Sequence, residues 1–222
     1  MVYHTQMNKT EKKPLKVIWL VLAGFCVLFL ATIILYWIKG DNYRLSIILL
    51  MFKIIGLGTS ILLVLGELGH PIFKKICIKG EKIDCYAVME SPAAKVLGLI
   101  PMADLGVLYF SGGIILIAFS GVNSQFFKQI FLLALLNLMT LPYTLFSVGY
   151  QALAVKKWCE LCLIVQLTFW LEFLQFYKFL SAGFPGFTIE DFFPFTWSFG
   201  LPLLVWLVFR PALQKSIRFD KR

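Results

Sequence analysis

Charged side chains are scarce in this sequence. Only 15% of its 222 residues are Asp, Glu, Lys or Arg, whereas 59% are hydrophobic and the mean hydropathy is +0.82. This apolar content exceeds what a soluble domain of the same length needs for its core, which excludes a water-soluble globular protein and makes the lipid bilayer the expected solvent. The net charge of +9 then indicates attraction to anionic lipid surfaces.

Motifs of several soluble enzyme classes are also missing. The sequence has no glycine-rich phosphate-binding loop, no nucleophile elbow and no nucleic-acid-binding motif. Internal repeats, low-complexity tracts and a separate soluble domain are absent as well. We therefore expect one membrane domain with no nucleic-acid partner.

Six apolar segments are each close to the roughly 20 residues that a helix needs to cross a bilayer. They are residues 17–38, 45–66, 96–120, 127–149, 160–180 and 194–209. None of them alternates apolar and polar residues as a barrel strand does, and backbone groups in lipid must be paired within their own segment. The sequence therefore predicts an all-α integral membrane protein with about six spans, the first being a retained anchor because it lacks a cleavage site.

Four of the five cysteines form two pairs that the predicted topology places at one membrane surface. Cys77 and Cys85 lie in the polar loop of residues 67–95, and Cys159 and Cys162 lie where the fifth span begins. The third and fourth spans separate the pairs and return the chain to the same face. The two pairs can therefore meet, and disulfide exchange between them becomes geometrically possible.

The spacing of the second pair indicates how its sulfurs could be used. Residues three apart lie on the same side of a helix, so Cys159 and Cys162 can face one spot. The helix N-terminus, with Lys156 and Lys157 nearby, favours thiolate over thiol and makes Cys159 the expected exchanging sulfur. Cys162 lies one turn deeper, toward the apolar phase, where a lipid-soluble electron acceptor could bind.

Other uses of these cysteines stay open. Four thiolates could hold zinc in a closed site, although the seven residues between Cys77 and Cys85 exceed the usual spacing of a zinc knuckle. Haem attachment is excluded, because Leu163 stands where a histidine is needed. The rival function is a noncatalytic membrane scaffold or transporter with structural disulfides or a zinc site. Cys26 lies among apolar neighbours and is interpreted as a packing residue.

The order of the motifs resembles the vitamin K epoxide reductase family, whose bacterial homologues oxidise thiols and reduce quinones. The resemblance covers roughly residues 45–210. Its motifs are Cys77-x7-Cys85, Val88-Met89-Glu90-Ser91, Gly98-Leu99-Ile100-Pro101 with Gly106 and Tyr109, and Trp158-Cys159-x-x-Cys162. Each motif alone is weak, and together they are specific.

The resemblance implies a four-helix-bundle catalytic core with flanking transmembrane helices. We expect residues 1–44 to form an N-terminal tail and the extra anchor, residues 45–210 the catalytic membrane domain, and residues 211–222 a basic tail. That tail is too short for the thioredoxin-like domain that many bacterial members carry. We therefore expect either a thioredoxin-like electron donor supplied in trans or a chain that is a piece of a longer protein.

The resemblance also implies an electron relay that supports disulfide bond formation. Cys77 and Cys85 would form a shuttle disulfide that exchanges with the external thiol protein. Cys85 would then exchange with Cys159, and Cys162, paired with Cys159 at rest, would deliver two electrons to a bound quinone. Thiolate exchange needs proximity and an ionised sulfur, so no metal is expected.

Three polar residues are candidate quinone contacts. Ser91 stands where the family has a serine near the quinone, although Ser91-Pro92 is equally typical of an N-cap that opens a short segment to Ile100. Asn137 and Gln166 lie within predicted spans and could donate to a quinone carbonyl. Vertebrate members have tyrosine at the position of Gln166, so menaquinone or ubiquinone is expected rather than vitamin K epoxide.

Two charged residues, Lys53 and Glu172, also fall inside predicted spans. A charge at that depth is costly unless it is paired or reaches an interface. We therefore expect both residues to pair or to snorkel, and assign them no catalytic role.

Charge and resemblance give opposite membrane orientations. Sixteen Lys and Arg residues lie on the cysteine-bearing face, and the other face has only Lys39, Arg44, Lys128 and Lys178. The positive-inside rule would place the cysteines in the cytoplasm. Bacterial family members generally place them outside, where disulfides persist. We expect a multi-pass protein of the bacterial inner membrane with an extracytoplasmic active site, because that compartment suits an oxidising relay.

Overall fold

The computed structural model describes residues 42–77, 80–96, 98–120, 126–181 and 183–220. The chain divides into two compact units between Leu45 and Ser46, and only the last four residues of the first unit are described. The first predicted span, residues 17–38, and Cys26 therefore lie outside the described residues.

Five helices in the described part of the chain are long and apolar enough to cross a membrane. They are α1 (Asn42–Glu67), α4 (Met102–Ser120), α5 (Phe126–Tyr150), α6 (Glu160–Ser181) and α7 (Phe192–Asp220). Long apolar sequence favours helices here because a helix pairs its backbone groups within one segment. These helices confirm the predicted all-α membrane fold and correspond to five of the six predicted spans.

Short elements form the connection between α1 and α4. In chain order they are α2 (Pro71–Ile76), α3 (Cys85–Met89), a 3₁₀ turn (Pro92–Ala94), β1 (Lys95–Val96) and β2 (Ile100–Pro101). The start of α3 is fixed by Asp84, whose carboxylate accepts hydrogen bonds from the backbone N–H groups of Tyr86 at 3.1 Å and Ala87 at 3.2 Å. This cap determines that Cys85 is the first helical residue.

The residues before α4 form a hairpin, whereas the sequence predicted that the span begins at residue 96. β1 and β2 pair antiparallel, and the helix starts only at Met102. Gly98 has a φ of +72°, a left-handed conformation that interrupts a helix, and Pro101 has no N–H to donate to one. The predicted start of this span was therefore wrong, because Gly98 and Pro101 favour a turn over a helix at these residues.

Close packing and one charge cluster connect the long helices. α5 packs along α6, and α4 packs along α7. At the α4 and α7 contact, a Cβ on Gly112 would lie 2.5 Å from the ring of Phe199, so glycine permits the close approach. Arg210 of α7 donates to both carboxylate oxygens of Asp104 at 3.1 Å and to Glu67 at 2.9 Å. α7 then continues to Asp220, through the residues predicted to form the basic tail.

A buried ion pair lies inside the bundle. Lys53 Nζ of α1 lies 2.9 Å from Glu172 Oε2 of α6, and both side chains are fully buried. Tyr109 of α4 donates its hydroxyl to the same carboxylate oxygen at 2.7 Å, and its ring lies 3.6 Å below the Lys53 ammonium. Asn137 Nδ2 lies 3.3 Å from that oxygen. The sequence predicted that Lys53 and Glu172 would pair or snorkel, and the structure shows that they pair, with each other.

Candidate active site

The loop cysteines are joined to each other. Cys77 directly follows α2, Cys85 opens α3, and a disulfide links them with their Cα atoms 6.3 Å apart. Cys85 is fully buried, whereas Cys77 keeps 8% of its surface exposed. Lys74 and Lys75, in the last turn of α2, are both exposed. The disulfide is therefore covered, with Cys77 the more accessible of its two ends.

The second pair lies at the start of α6 and is held as two thiols. Cys159 immediately precedes the first helical residue, Glu160, and is fully buried. The backbone N–H of Cys162 donates to Cys159 Sγ at 3.3 Å, so this sulfur takes the acceptor position of a helix N-cap. The two sulfurs face one spot, as the spacing predicts, but in the reduced state rather than as the resting disulfide that the resemblance implies.

A short backbone bridge brings the two pairs together. Ile83 and Trp158 pair in parallel, two residues before Cys85 and one residue before Cys159. The N–H of Asp84 donates to the carbonyl of Trp158 at 3.1 Å, and the N–H of Trp158 donates to the carbonyl of Lys82 at 2.9 Å. The loop and the start of α6 therefore meet, as the parity of the spans predicts.

The disulfide and the two thiols share one apolar cluster. Its buried members are Leu63, Phe73, Cys77, Cys85, Val88, Cys159 and Leu161, and Cys162 packs against them. The cluster excludes water around sulfurs from both pairs. Thiol–disulfide exchange requires an attacking sulfur close to a disulfide, and this cluster supplies the proximity.

Tyr86, next to Cys85, contributes a neutral phenol to this region. Its ring packs edge-on against Phe73 with ring centroids 5.1 Å apart. Burial, and secondly the carboxylate of Asp84, raise the pKa of Tyr86. The phenol therefore stays protonated at neutral pH and adds no negative charge beside the disulfide.

An unusual turn precedes Cys159. After α5, residues Gln151–Val155 form a π-helical turn, and Lys156 follows with a φ of +54°. The side-chain oxygen of Gln151 accepts the backbone N–H of Cys159 at 2.9 Å. Sequence reasoning missed Gln151, although an amide side chain in an apolar segment eight residues before Cys159 was a signal.

A cavity of about 320 Å³ lies beside the second pair. Of the four cysteines discussed here, only Cys162 lines it. Most of its wall is apolar, and Leu63 and Val88 belong both to this wall and to the cysteine cluster. Its polar lining comes mainly from Ser60, Glu67, Ser91, Tyr109, Thr140, Tyr143, Thr144, Ser147, Tyr150, Gln151 and Gln166.

Two of the three candidate quinone contacts line this cavity. Ser91 is one, with its hydroxyl donating to the carbonyl of Val88 at 2.6 Å and making no side-chain cap bond to the turn that follows. Gln166 is the other, with its Nε2 donating to Ser147 Oγ at 2.7 Å. Asn137 lies outside the lining and donates to the hydroxyl of Tyr109 at 3.1 Å, so it reaches the cavity through that residue.

Metal-binding side chains do not cluster in the described part of the chain. Among residues 42–77, 80–96, 98–120, 126–181 and 183–220, no group of three or more His, Cys, Asp or Glu side chains is placed to hold a metal ion. With Cys77 and Cys85 joined as a disulfide, two sulfurs of the zinc alternative are occupied with each other.

Comparison with known proteins agrees with this geometry. The profile of the Vitamin K epoxide reductase family matches residues 47–176, more than half of the chain. Neither the curated proteins nor the solved structures include a match. The matched range contains both cysteine pairs and the residues around the cavity. The chain belongs to the vitamin K epoxide reductase family, whose members are membrane thiol–disulfide oxidoreductases that pass electrons to a quinone and work with thioredoxin-like partners.

Proposed function

We propose that this protein is a membrane thiol oxidase that supports disulfide bond formation. Electrons enter from a thioredoxin-like protein at Cys77 and Cys85, pass to Cys159 and Cys162, and leave on a quinone. One observation carries the proposal: Cys159 is a buried member of the cluster that holds the loop disulfide, and Cys162, which packs against that cluster, also lines the cavity. The second pair thus connects the loop disulfide with the cavity.

Each exchange step breaks one disulfide and forms another. A thiolate of the partner attacks the loop disulfide at Cys77, the more exposed end, and a second partner thiol resolves the mixed disulfide to leave Cys77 and Cys85 reduced. Cys85 then attacks the Cys159–Cys162 disulfide at Cys159, which forms a Cys85–Cys159 disulfide and releases Cys162. Cys77 attacks Cys85 in this mixed disulfide and releases Cys159. The products are a Cys77–Cys85 disulfide and two thiols at α6, the arrangement of the cysteines in this structure.

The cavity fits a quinone head group. It is mostly apolar, as a carbon ring requires. Three of its lining residues have a buried polar atom with no hydrogen-bond partner in the described part of the chain: Ser60 Oγ, Gln151 Nε2 and Gln166 Oε1. A bound quinone supplies an acceptor for two electrons and two protons, which Cys159 and Cys162 give up as they form a disulfide. In this proposal Ser91 and Gln166 contact the head group, and Asn137 holds Tyr109 in the wall. Menaquinone and ubiquinone both satisfy these requirements.

A trapped exchange intermediate tests the route. In a Cys77→Ala/Cys162→Ala double variant, the two sulfurs that resolve mixed disulfides are absent, so a Cys85–Cys159 disulfide is expected to accumulate under oxidising conditions. Peptide mapping by mass spectrometry after thiol alkylation identifies the linked pair. The matched control is Cys85→Ala/Cys159→Ala, which is expected to keep Cys77 and Cys162 as thiols. Failure of the first variant to form the bond would contradict the proposed order.

We further propose that the cysteines face the extracytoplasmic side of a bacterial inner membrane, where partner disulfides persist. Phe73 lies within α2, close in sequence to Cys77, and Ser124 follows α4 in the sequence, so one predicted crossing separates the two positions. A reporter active only in the periplasm is expected to work when fused at Phe73 and to fail at Ser124. The reverse result would place the active site in the cytoplasm, as the positive-inside count suggests.

A further inference from the structure

Gln151 has a side chain whose orientation is fixed by the backbone it contacts. Its Oε1 accepts the N–H of Cys159 at 2.9 Å. A backbone N–H can only donate, so the amide oxygen must face Cys159 and the amide cannot be flipped. The NH₂ group, with two hydrogens to donate, is therefore directed away from that bond.

Among the described residues, no group pairs with this NH₂ group. Gln151 is only 1% exposed, its Nε2 is buried, and no hydrogen-bond acceptor in the described protein reaches it. Unpaired buried donors are rare in folded proteins and call for an explanation, such as a ligand. Gln151 lines the cavity that Cys162 also lines, so a ligand beside Cys162 can supply the missing acceptor.

The backbone around Gln151 takes two uncommon conformations. Gln151 begins a π-helical turn, and the turn ends at Lys156, a non-glycine residue in the left-handed region with a φ of +54°. π-helical turns occur frequently at functional sites. Together these features bring Gln151 back over Cys159, eight residues later in the chain.

The other unpaired polar atoms of the cavity are less constrained. Gln166 donates to the hydroxyl of Ser147, and because a hydroxyl can accept or donate, the Gln166 amide can flip and present either group to the cavity. The hydroxyl of Ser60 can rotate in the same way. Of these three described residues, Gln151 alone has a donor of fixed direction, which favours a ligand with an acceptor oxygen on an otherwise apolar body.

We propose that Gln151 is the residue that binds a carbonyl oxygen of the quinone, through its Nε2, and holds the head group against the Cys159–Cys162 pair. This assignment rests on the proposed function. The Gln151 amide thus links the bound quinone to the backbone of Cys159. The carbonyl accepts the hydrogen bond that the buried NH₂ group lacks, and an apolar ring without a carbonyl gains nothing from Gln151.

Equilibrium binding of two matched ligands tests this assignment. Menadione has two carbonyls, and 2-methylnaphthalene has the same carbon skeleton with none. In Gln151→Met, the dissociation constant for menadione is measured with the purified, fully oxidised protein in detergent, in which Cys159 and Cys162 cannot reduce the ligand. It is expected to rise roughly 3- to 10-fold, the effect of losing one hydrogen bond. The affinity for 2-methylnaphthalene is expected to stay unchanged, because the apolar contacts remain.

Two further variants distinguish the loss of this hydrogen bond from a general loss of structure. Gln129 is also 1% exposed but donates to the carbonyl of Asp191, outside this cavity, so Gln129→Met is the matched control and should leave menadione binding unchanged. If Gln151→Met does not fold, Gln151→Glu keeps an oxygen for the Cys159 N–H and, at a pH above the pKa of its buried carboxyl, removes the donor. It is expected to weaken menadione binding in the same selective way.

The outcomes separate this assignment from the proposed function. Unchanged menadione affinity in the Gln151 variants would overturn the assignment, and so would an equal loss for both ligands, which would indicate a cavity of altered shape. Selective loss for menadione supports it. If the wild-type protein binds menadione selectively through Gln151 but does not reduce it with thiols, the assignment stands and the proposed function fails.

Discussion

Replacement of Cys162 by alanine is expected to reduce thiol-driven quinone reduction to the rate measured without protein. Cys162 is the one cysteine of the two pairs that lines the cavity, and without it Cys159 cannot form the disulfide that releases two electrons. The measurement is quinol formation from menadione with a reduced thioredoxin-like donor. Cys162→Ser is expected to behave in the same way, because a hydroxyl cannot replace the redox chemistry of a thiol.

Partial reactions show that this loss is specific. Reduction of the Cys77–Cys85 disulfide by the donor does not require Cys162, so it is expected to proceed at the wild-type rate in Cys162→Ala. Cys26→Ala is the control for removal of a cysteine outside the two pairs, and it is expected to keep full turnover. Retained quinone reduction in Cys162→Ala would mean that electrons leave the protein by another route.

Replacement of Glu172 by leucine is expected to lower the free energy of unfolding by roughly 3–5 kcal/mol, because it leaves the ammonium of Lys53 buried without its partner. Both side chains are fully buried and 2.9 Å apart. Tyr109 loses the acceptor of its hydroxyl at the same time. The free energy of unfolding is obtained from denaturation of the purified protein in mixed detergent micelles.

A double variant distinguishes the buried charge from lost packing. Lys53→Met/Glu172→Leu removes both charges, and we expect it to recover most of the stability lost in Glu172→Leu, since apolar residues often replace a buried ion pair at little cost. Equal instability of the single and double variants would show that the shape of Glu172, rather than its charge, is what the core requires. A control at the surface is Glu190→Leu, which removes an exposed carboxylate and should change stability little.

The spans and the meeting of the cysteine pairs could be predicted from the sequence because both depend on simple local properties. Hydropathy over about 20 residues identifies a membrane helix, and counting spans gives the side of each loop. For Lys53 and Glu172 the sequence predicted pairing or snorkelling, since charges in lipid need a partner or an interface. The contact itself joins residues 119 positions apart, and no local pattern encodes it.

The site was predictable in its sulfurs and less so in its cavity. The cavity is formed by side chains from α1, α4, α5 and α6 and the connection before α4, so its lining depends on how the helices pack. Asn137 and Gln166 have the same amide group, yet of the two only Gln166 lines the cavity. The packing of the helices decides which face of each helix borders the cavity. Gln151 depends on a π-helical turn and a left-handed Lys156, which helical periodicity does not predict.

The sequence before α4 contains a turn signal that a prediction from hydropathy does not take into account. Residues 96–101 are apolar enough to extend the predicted span, but Gly98 and Pro101 both mark a turn. The resulting hairpin places the main chain of this connection beside the cavity, where Ser91, Ala93 and Pro101 line the wall. The tertiary position of this connection therefore matters more for the site than six additional residues of helix would.

The most direct test of the account is the stoichiometry of electron transfer by the wild-type protein under anaerobic conditions. A reduced thioredoxin-like donor and menadione are incubated with catalytic amounts of the protein, and donor disulfide and quinol are both quantified. The proposed electron route predicts one quinol for each donor disulfide over many turnovers, and no quinol with Cys162→Ala. Oxidation of the donor without quinol, or no oxidation of it although menadione binds, would contradict the claim that this protein transfers electrons from thiols to a quinone.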